Sequence, residues 1–264
     1  MELNLAGRTA LITGGSKGIG LAIARALAAE RCNLHLAART ETDLRTAAKD
    51  IRKHYNVEVN THSVDLTDNS QIKQLAAACG SIDILVNSAG GIPRGTLLEI
   101  DAQTWRRAWD LKVFGCIDVT REIYASMCRQ SKGVIVNIVG ISGDRPDAYY
   151  IAGSTANAAL MMFSRSLGGD SIRYGVRVVA VNPGPVETEK HIKDTERLAQ
   201  ERFGDKSRWR DVMAGLPMRR AARPEEVASM VAFLVSDLAG YISGCVITID
   251  GGLLSDSAIG VRRG

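Results

Sequence analysis

The chain has 264 residues, of which 45% are hydrophobic and 23% are charged, and its formal net charge is +4. These ordinary values for a globular protein exclude a disordered chain, and so small a scattered charge predicts no nucleic-acid partner. No apolar run reaches the roughly 18 residues of a spanning helix, so we predict no membrane partner.

Cysteine and histidine usage predicts a reduced protein without a metal centre. The five cysteines are an odd number with no Cys-x-x-Cys pair, in a chain too long to need disulfides. The four histidines lack a ligand spacing such as His-Glu-x-x-His. Residues 1–7 lack the basic start and apolar stretch of a secretory signal, so we expect a cytoplasmic location.

Short β-branched runs alternate with longer helical patterns along the whole chain. We predict strands at 8–13, 33–38, 57–62, 82–87, 133–138, 175–181 and 245–249. We predict helices at 18–30, 41–54, 68–78, 101–129, 152–169 and 224–236. This alternation is the signature of right-handed βαβ units, and it predicts one domain, 1–264, whose parallel sheet is covered on both faces.

A glycine-rich loop, Thr13-Gly-Gly-Ser-Lys-Gly-Ile-Gly20, separates the first predicted strand from an alanine-rich helix. Gly14 permits a tight turn, and Gly18 lets backbone amides approach a pyrophosphate without a Cβ in the way. Because the positive end of the helix then faces the phosphates, the loop predicts a dinucleotide site.

The residue after the second strand indicates which dinucleotide binds. Arg39 stands where an acidic residue would hold a free ribose 2′-hydroxyl, and Lys17 in the glycine loop adds a second cation. Both favour a 2′-phosphate, so we predict NADP(H) over NAD(H). The alternative interpretation is that both cations are solvated rim residues.

The spacing Gly-x-x-x-Gly-x-Gly behind Thr13 resembles the short-chain dehydrogenase/reductase family, and the resemblance covers nearly the whole chain. Further matches are Asp65-Leu66, Asn87-Ser-Ala-Gly90, Asn182-Pro-Gly184 and Asp250-Gly-Gly252. The resemblance implies a Rossmann-type doubly wound sheet of seven parallel strands in three α/β/α layers, a homotetramer or homodimer, and hydride transfer with a small-molecule substrate.

The resemblance also implies where the cofactor lies. Asp65 and Leu66 would flank the adenine, residues 87–90 would support its ribose and the central strand, and residues 183–188 would line the nicotinamide side. The full predicted set is Gly14, Ser16, Lys17, Gly18, Ile19, Gly20, Arg39, Asp65, Leu66, Asn87, Ala89, Gly90, Pro183, Gly184, Val186 and Thr188.

The four positions that carry catalysis in the family are changed here. The usual members have an Asn on the long central helix, a Ser after the fifth strand, and a Tyr-x-x-x-Lys pair whose tyrosine transfers the proton. Aligned without gaps, this chain has Lys112, Gly140, Gly153 and Asn157 at those positions. The standard mechanism therefore does not carry over residue by residue.

We predict a rebuilt active site. Lys112 and Asn157 exchange the ammonium and the amide between opposite helices, which keeps one positive charge in the cleft. Tyr150 stands seven residues before Asn157, a spacing that resembles the enoyl reductase branch. Tyr150 is then the acid/base, Lys112 lowers its pKa, and Ser142 or Ser154 orients the substrate.

The predicted function is an NADP(H)-dependent oxidoreductase acting on a carbonyl/alcohol or an activated alkene. Two alternatives stay open: a non-catalytic NADP(H)-binding sensor or scaffold, and a lyase or hydrolase for which Gly140 and Gly153 open room beside the cofactor. In a purely structural interpretation, Lys112 reaches solvent from an amphipathic helix and Asn157 only satisfies backbone groups. Tyr149 and Tyr150 then cap a core beside Pro146.

The segment 187–216 interrupts the βα rhythm after the sixth strand, and it is highly charged. Long connections at the carboxyl ends of strands are usually functional, so we predict a substrate lid, with a plain surface excursion as the alternative. Trp209, Met213 and Met218 predict a partly apolar pocket beneath it, and the alternative is that they belong to the core.

Overall fold

The computed structural model describes residues 2–256 and contains one sheet of seven parallel strands. The strands are β1 (Thr9–Thr13), β2 (Asn33–Ala38), β3 (Val59–Ser63), β4 (Ile84–Asn87), β5 (Gly133–Ile138), β6 (Val176–Pro183) and β7 (Cys245–Ile249). Their order is β3-β2-β1-β4-β5-β6-β7, so the sheet grows in one direction from β1 to β3 and in the other from β4. The predicted doubly wound, Rossmann-type α/β/α fold is confirmed.

Helices cover both faces of this sheet. They are α1 (Gly18–Ala29), α2 (Glu41–His54), α3 (Asn69–Cys79), α4 (Ala102–Trp109), α5 (Gly115–Gln130), α6 (Ile151–Asp170), α7 (Glu189–Phe203), α8 (Trp209–Val212) and α9 (Pro224–Val235). Neighbouring strand residues point to opposite faces: Ile12 packs with α1, α2 and α9, whereas Leu11 packs with α3 and α5. This two-sided burial explains the nearly continuous apolar strands.

The single helix predicted over 101–129 is wrong in its middle. Asp101 caps α4 by accepting hydrogen bonds from the amides of Gln103 (2.9 Å) and Thr104 (2.8 Å). A π-helical turn, Asp110–Phe114, then separates α4 from α5. Such a turn widens the helix locally and changes the direction of the side chains that follow, and it is frequent at functional sites. Lys112 lies in this turn.

The segment 187–216 contains helical structure that the sequence analysis missed. The hydroxyl of Thr188 caps α7 by accepting a hydrogen bond from the His191 amide (3.2 Å), and Gly204, at φ 71°, ends it. A 3₁₀ turn, Lys206–Arg208, leads directly into α8. Across residues 2–256, no helix is both long and apolar enough to cross a membrane.

Candidate active site

A cleft of about 1460 Å³ opens at the carboxyl ends of the central strands, beside the start of α1 and beneath α7. This is where ligands bind in doubly wound sheets, because the strand order reverses between β1 and β4. The predicted cofactor residues that line it are Gly14, Ser16, Lys17, Gly18, Ile19, Gly20, Arg39, Ala89, Gly90, Pro183, Gly184, Val186 and Thr188. The predicted catalytic residues that line it are Lys112, Ser142, Tyr150 and Asn157.

The glycine loop forms a cradle that fits a pyrophosphate. Gly14 has φ 68°, and a Cβ there would lie 3.0 Å from the Ala89 backbone. Below the loop, the Thr13 hydroxyl accepts hydrogen bonds from the amides of Ser88 (3.1 Å) and Ala89 (3.2 Å). No side chain caps the start of α1, so the amides of its first turn keep their capacity to bind an anion.

The two cations predicted for the 2′-phosphate lie at one end of the cleft. Arg39 is exposed, and its carbonyl accepts a hydrogen bond from the Ser63 hydroxyl (3.0 Å). The Lys17 ammonium lies 2.8 Å from the Asp43 carboxylate, and their hydrogen bond raises the pKa of Lys17. Asp43 offsets part of the Lys17 charge, so Arg39 is the stronger candidate for a phosphate.

Three predicted cofactor residues lie outside this lining. Asp65 accepts hydrogen bonds from the amide and hydroxyl of Thr67 (3.0 and 2.9 Å), and Leu66 is buried in the core. The Asn87 amide donates to the Thr120 hydroxyl and to the Asn137 side chain, both at 2.9 Å. Asn87 therefore ties β4 to β5 and α5, and contact of these three residues with a cofactor stays a prediction.

Tyr150 lies over Gly153 at the start of α6. A Cβ at Gly153 would collide with the Tyr150 ring, so the phenol fills the space of a side chain at position 153. The guanidinium of Arg94 lies 5.5 Å from the ring centroid, and Arg94 is paired with Asp147 at 2.7 Å. Burial raises the pKa of Tyr150, and the positive charge of Arg94 opposes that rise.

Lys112 reaches the same cleft from the π turn, and its surroundings differ from those we predict from sequence. Its ammonium donates to the Ile138 carbonyl (2.8 Å), and its carbons pack on Gly90, where a Cβ would collide with them. Burial lowers the pKa of Lys112. That shift works against the positive charge that we predict for Lys112. The pKa of Tyr150 is raised rather than lowered, because the effect of burial outweighs the positive charge of Arg94.

Asn157 is held beneath the cleft by Ser142. The Asn157 side-chain nitrogen donates to the Ser142 hydroxyl (2.9 Å), and a Cβ at Gly140 would lie 2.9 Å from that nitrogen. The Asn157 side-chain oxygen is buried and has no hydrogen-bond partner among residues 2–256. The Ser154 hydroxyl instead accepts from the Asp147 amide (3.3 Å). An unpaired buried acceptor favours a ligand that donates there.

The segment 187–216, predicted to be a lid, contributes polar and charged residues to the cleft and not the predicted apolar ones. Its residues in the lining are Thr188, Glu189, Lys190, His191, Lys193 and Asp194. Met213 is buried, Met218 is 74% exposed beside a second, smaller pocket, and Trp209 packs under Arg210. The three apolar residues predicted to line the pocket therefore lie outside this cleft, because they pack elsewhere.

Arg94 and His191 are two of the cleft residues that the sequence analysis did not name. Arg94 follows the turn after β4, so its place at the carboxyl end of a central strand was a usable signal. His191 sits in the first turn of α7, and its Nε2 is buried without a hydrogen-bond partner within the described chain. Burial lowers the pKa of His191, although Asp194 and Glu187 oppose the change. Nothing local in the sequence marks His191.

The chain is similar over its length to several known proteins. The family model described as enoyl-(acyl carrier protein) reductase matches residues 14–254. The 3-oxoacyl-(acyl-carrier-protein) reductase of Aquifex aeolicus is 32% identical over 257 residues, which cover 96% of this chain and 100% of that one. The acetoacetyl-CoA reductase of Allochromatium vinosum is 31% identical over 255 residues, which cover 93% and 98%.

A solved structure extends the similarity to three dimensions. The L-sorbose reductase of Gluconobacter frateurii, complexed with NADPH and L-sorbose, matches with a TM-score of 0.92 at 32% identity. The match covers 97% of this chain and 100% of that one.

Proposed function

Because the chain belongs to the short-chain dehydrogenase/reductase family, we propose that it is an NADPH-dependent reductase of a carbonyl group or an activated alkene in a small molecule. Relatives named for the reduction of 3-oxoacyl and acetoacetyl groups support this class of reaction. The relative that is complexed with NADPH supports the choice of cofactor.

The proposal rests mainly on the contact between the Tyr150 ring and Gly153. In the family pattern, position 153 supplies the tyrosine that transfers the proton. Here the ring of a tyrosine three residues earlier fills that space, and glycine is the residue that leaves room for it. A phenol thus lies along the cleft although the usual tyrosine is absent from the sequence. We propose that Tyr150 transfers the proton in place of the usual tyrosine.

The raised pKa of Tyr150 keeps the phenol in its protonated form, which is the form that reduction needs. Its phenol stays protonated well above neutral pH, because burial moves its pKa above the ordinary value of about 10. When bound, NADPH supplies a hydride to the carbon being reduced. Tyr150 donates its proton to the oxygen that gains charge, and water returns a proton to the phenolate. The reverse reaction needs the phenolate, and a raised pKa keeps the population of that form small at neutral pH.

The remaining residues would hold the cofactor and orient the substrate. The amides of residues 14–20 would bind the pyrophosphate, and Arg39 would bind the 2′-phosphate. The unpaired oxygen of Asn157 would accept a hydrogen bond from a ribose hydroxyl, which the family's lysine otherwise contacts. Lys112 and Ser142 stay in the proposed catalytic set, Lys112 as a donor beneath the substrate and Ser142 as the group that positions Asn157.

Tyr150→Phe tests the proposal, because it keeps the ring over Gly153 and removes only the hydroxyl. We expect turnover to fall by about 10²-fold or more while NADPH affinity is unchanged. NADPH oxidation would be followed with ketoses, 3-oxoacyl thioesters and enoyl thioesters, and NADPH affinity by fluorescence titration. Tyr149→Phe is the matched control, since Tyr149 lines the same cleft, is 66% exposed and should leave turnover intact. Undiminished turnover in Tyr150→Phe would refute this role.

A second candidate is an NADPH-binding protein without turnover. It is favoured by the surroundings of Lys112, because burial disfavours its charged form and its side-chain nitrogen already donates to the Ile138 carbonyl. The same assay separates the two functions: quenching of NADPH fluorescence without oxidation by any substrate supports the binding protein. The homotetramer and the cytoplasmic location stay predictions, and sedimentation tests the first.

A further inference from the structure

Two histidines and a cysteine converge on the sheet face opposite α1 and α2, away from the cleft. His35 lies in β2 and His62 in β3, and the strand register places His62 opposite Ala37 and His35 opposite Asn60. Helix α3 covers this face and ends at Cys79, which packs with Ala37 in the same core cluster. Three separate elements of the fold, β2, β3 and α3, thus each bring one side chain to one point.

The atoms that converge are the ones that bind metals. His35 Nδ1 lies 2.8 Å from His62 Nε2, and the same Nε2 lies 3.9 Å from Cys79 Sγ. All three atoms lie within 4.8 Å of one another. In a tetrahedral zinc site, the nitrogens would be about 3.4 Å apart and nitrogen and sulfur about 3.6 Å apart. The first two distances would each change by about 0.6 Å or less to reach that geometry, and the distance between His35 Nδ1 and Cys79 Sγ would shorten by at most about 1.2 Å.

We propose that His35, His62 and Cys79 bind a divalent transition ion of the zinc type. Imidazole nitrogen and thiolate are the ligands that zinc prefers, and three of them leave the fourth position for water. The Cys79 thiol is free, and it releases its proton to solvent when the sulfur binds the ion. Cys79 is 7% and His35 9% exposed, whereas the more exposed His62 gives the ion a way in.

The ion would hold the edge strand β3 to its neighbours. β3 is the outermost strand on its side, so β2 is its sole strand neighbour in the described sheet. A metal held by β2, β3 and α3 would join all three elements. It would stabilise the folded state, because it binds the folded chain and not the unfolded one. This site differs from the sequence prediction of no metal centre, because the ligands come from separate elements without a local motif.

Cobalt and zinc binding to the full chain, reduced and free of any affinity tag, tests the site. With Co²⁺ as the probe, we expect one ion per chain and the near-ultraviolet charge-transfer band of a thiolate ligand. Cys79→Ser should abolish the band, and His62→Gln should abolish stoichiometric binding of Co²⁺ and Zn²⁺. Cys128→Ser is the matched control, because Cys128 is a half-buried cysteine outside the cluster and its loss should leave the band unchanged.

Folding is checked independently, because both variants change partly buried residues. Circular dichroism should show an unchanged helix and strand content, and Zn²⁺ should raise the Tm of the wild-type chain but not that of His62→Gln. Absence of the band in the wild-type chain, or its persistence in Cys79→Ser, would overturn the proposal. In that case the two histidines are a hydrogen-bonded pair only.

Discussion

The two cations predicted to meet the cofactor's 2′-phosphate have different surroundings. Lys17 is held by Asp43 at 2.8 Å, so a phosphate would compete with a carboxylate for its ammonium. Arg39 is anchored through its backbone carbonyl, which leaves the planar guanidinium to bind two phosphate oxygens. The preference for NADPH that we propose therefore depends mainly on Arg39.

Replacing Arg39 by Asp should reverse the cofactor preference. A charge-assisted hydrogen bond contributes about 1.5–3 kcal/mol, so NADPH affinity should fall roughly 10- to 100-fold. NADH affinity should rise or stay constant, because an acidic residue at this position can hold a free 2′-hydroxyl. Fluorescence titration with both dinucleotides measures the change.

Arg45→Asp is the control for a general effect of charge. Arg45 is exposed on α2, is paired with Glu41 at 2.6 Å and lies outside the lining of the cleft. Equal losses of NADPH affinity in the two variants would contradict a specific contact at Arg39, as would equal retention of both dinucleotides.

Helix α6 arranges the proposed catalytic groups along one side. Tyr150 caps the helix, and the positions of Gly153 and Asn157 follow on the same face at helical spacing. The Tyr150 carbonyl accepts hydrogen bonds from the amides of Gly153 (3.0 Å) and Ser154 (2.8 Å), so the ring is attached to a fixed first turn. The first turn of the helix therefore fixes the backbone of Tyr150, and glycine at position 153 leaves the space that the phenol fills.

Gly153→Ala should lower turnover without lowering NADPH affinity. A Cβ at this position would displace the Tyr150 ring, so turnover should fall at least about tenfold while NADPH affinity persists. Gly169→Ala in the same helix is the matched control, because a Cβ there has no atom within 4 Å. Its stability should rise by up to about 0.5–1 kcal/mol with turnover unchanged, since alanine is the better helix former.

Tm and NADPH oxidation would be measured for both glycine variants. Full turnover in Gly153→Ala would show that the position of the Tyr150 ring is unimportant, and the proposed proton donor would be lost with it.

The segment 187–216, predicted to be a substrate lid, supplies no residue to the three buried clusters of the described chain. Val186 belongs to the main core, whereas Ala199 and Met213 belong to none of the three buried clusters formed by the described residues. α7 packs chiefly on α8 and on the turn between them, so this unit keeps its own contacts if it moves. Such segments open at low free energy, and ligands that bridge them to the core slow that opening.

Hydrogen exchange should detect this behaviour in the whole chain. We expect NADPH to slow amide exchange in α7 by about tenfold or more, because Thr188, Lys190 and His191 line the cleft. Exchange in α9, which packs in the core, should not change. Mass spectrometry with and without NADPH measures both, and equal protection of α7 and α9 would contradict the lid.

Much of the architecture is predictable from sequence because its signals are local. Most of the strands are apolar runs between polar turns, and all seven lie within two residues of their predicted bounds. The edge strand β3 is the exception, because Val59 is its one apolar residue. The glycine loop is recognisable because one strand, one turn and one helix contain it. α7 was missed because it is mostly polar, and the π turn was missed because apolar periodicity does not distinguish a widened turn from a regular one.

The sequence by itself determined the strands, most of the helices, the parallel sheet and the dinucleotide loop, since backbone preferences and burial act over neighbouring residues. Only the tertiary structure decided which side chains meet: the Tyr150 ring over Gly153, Arg94 beside that ring, and His35 with His62 and Cys79. These contacts join residues from separate elements. Strand register and helix packing set them, and neither is written in the local pattern.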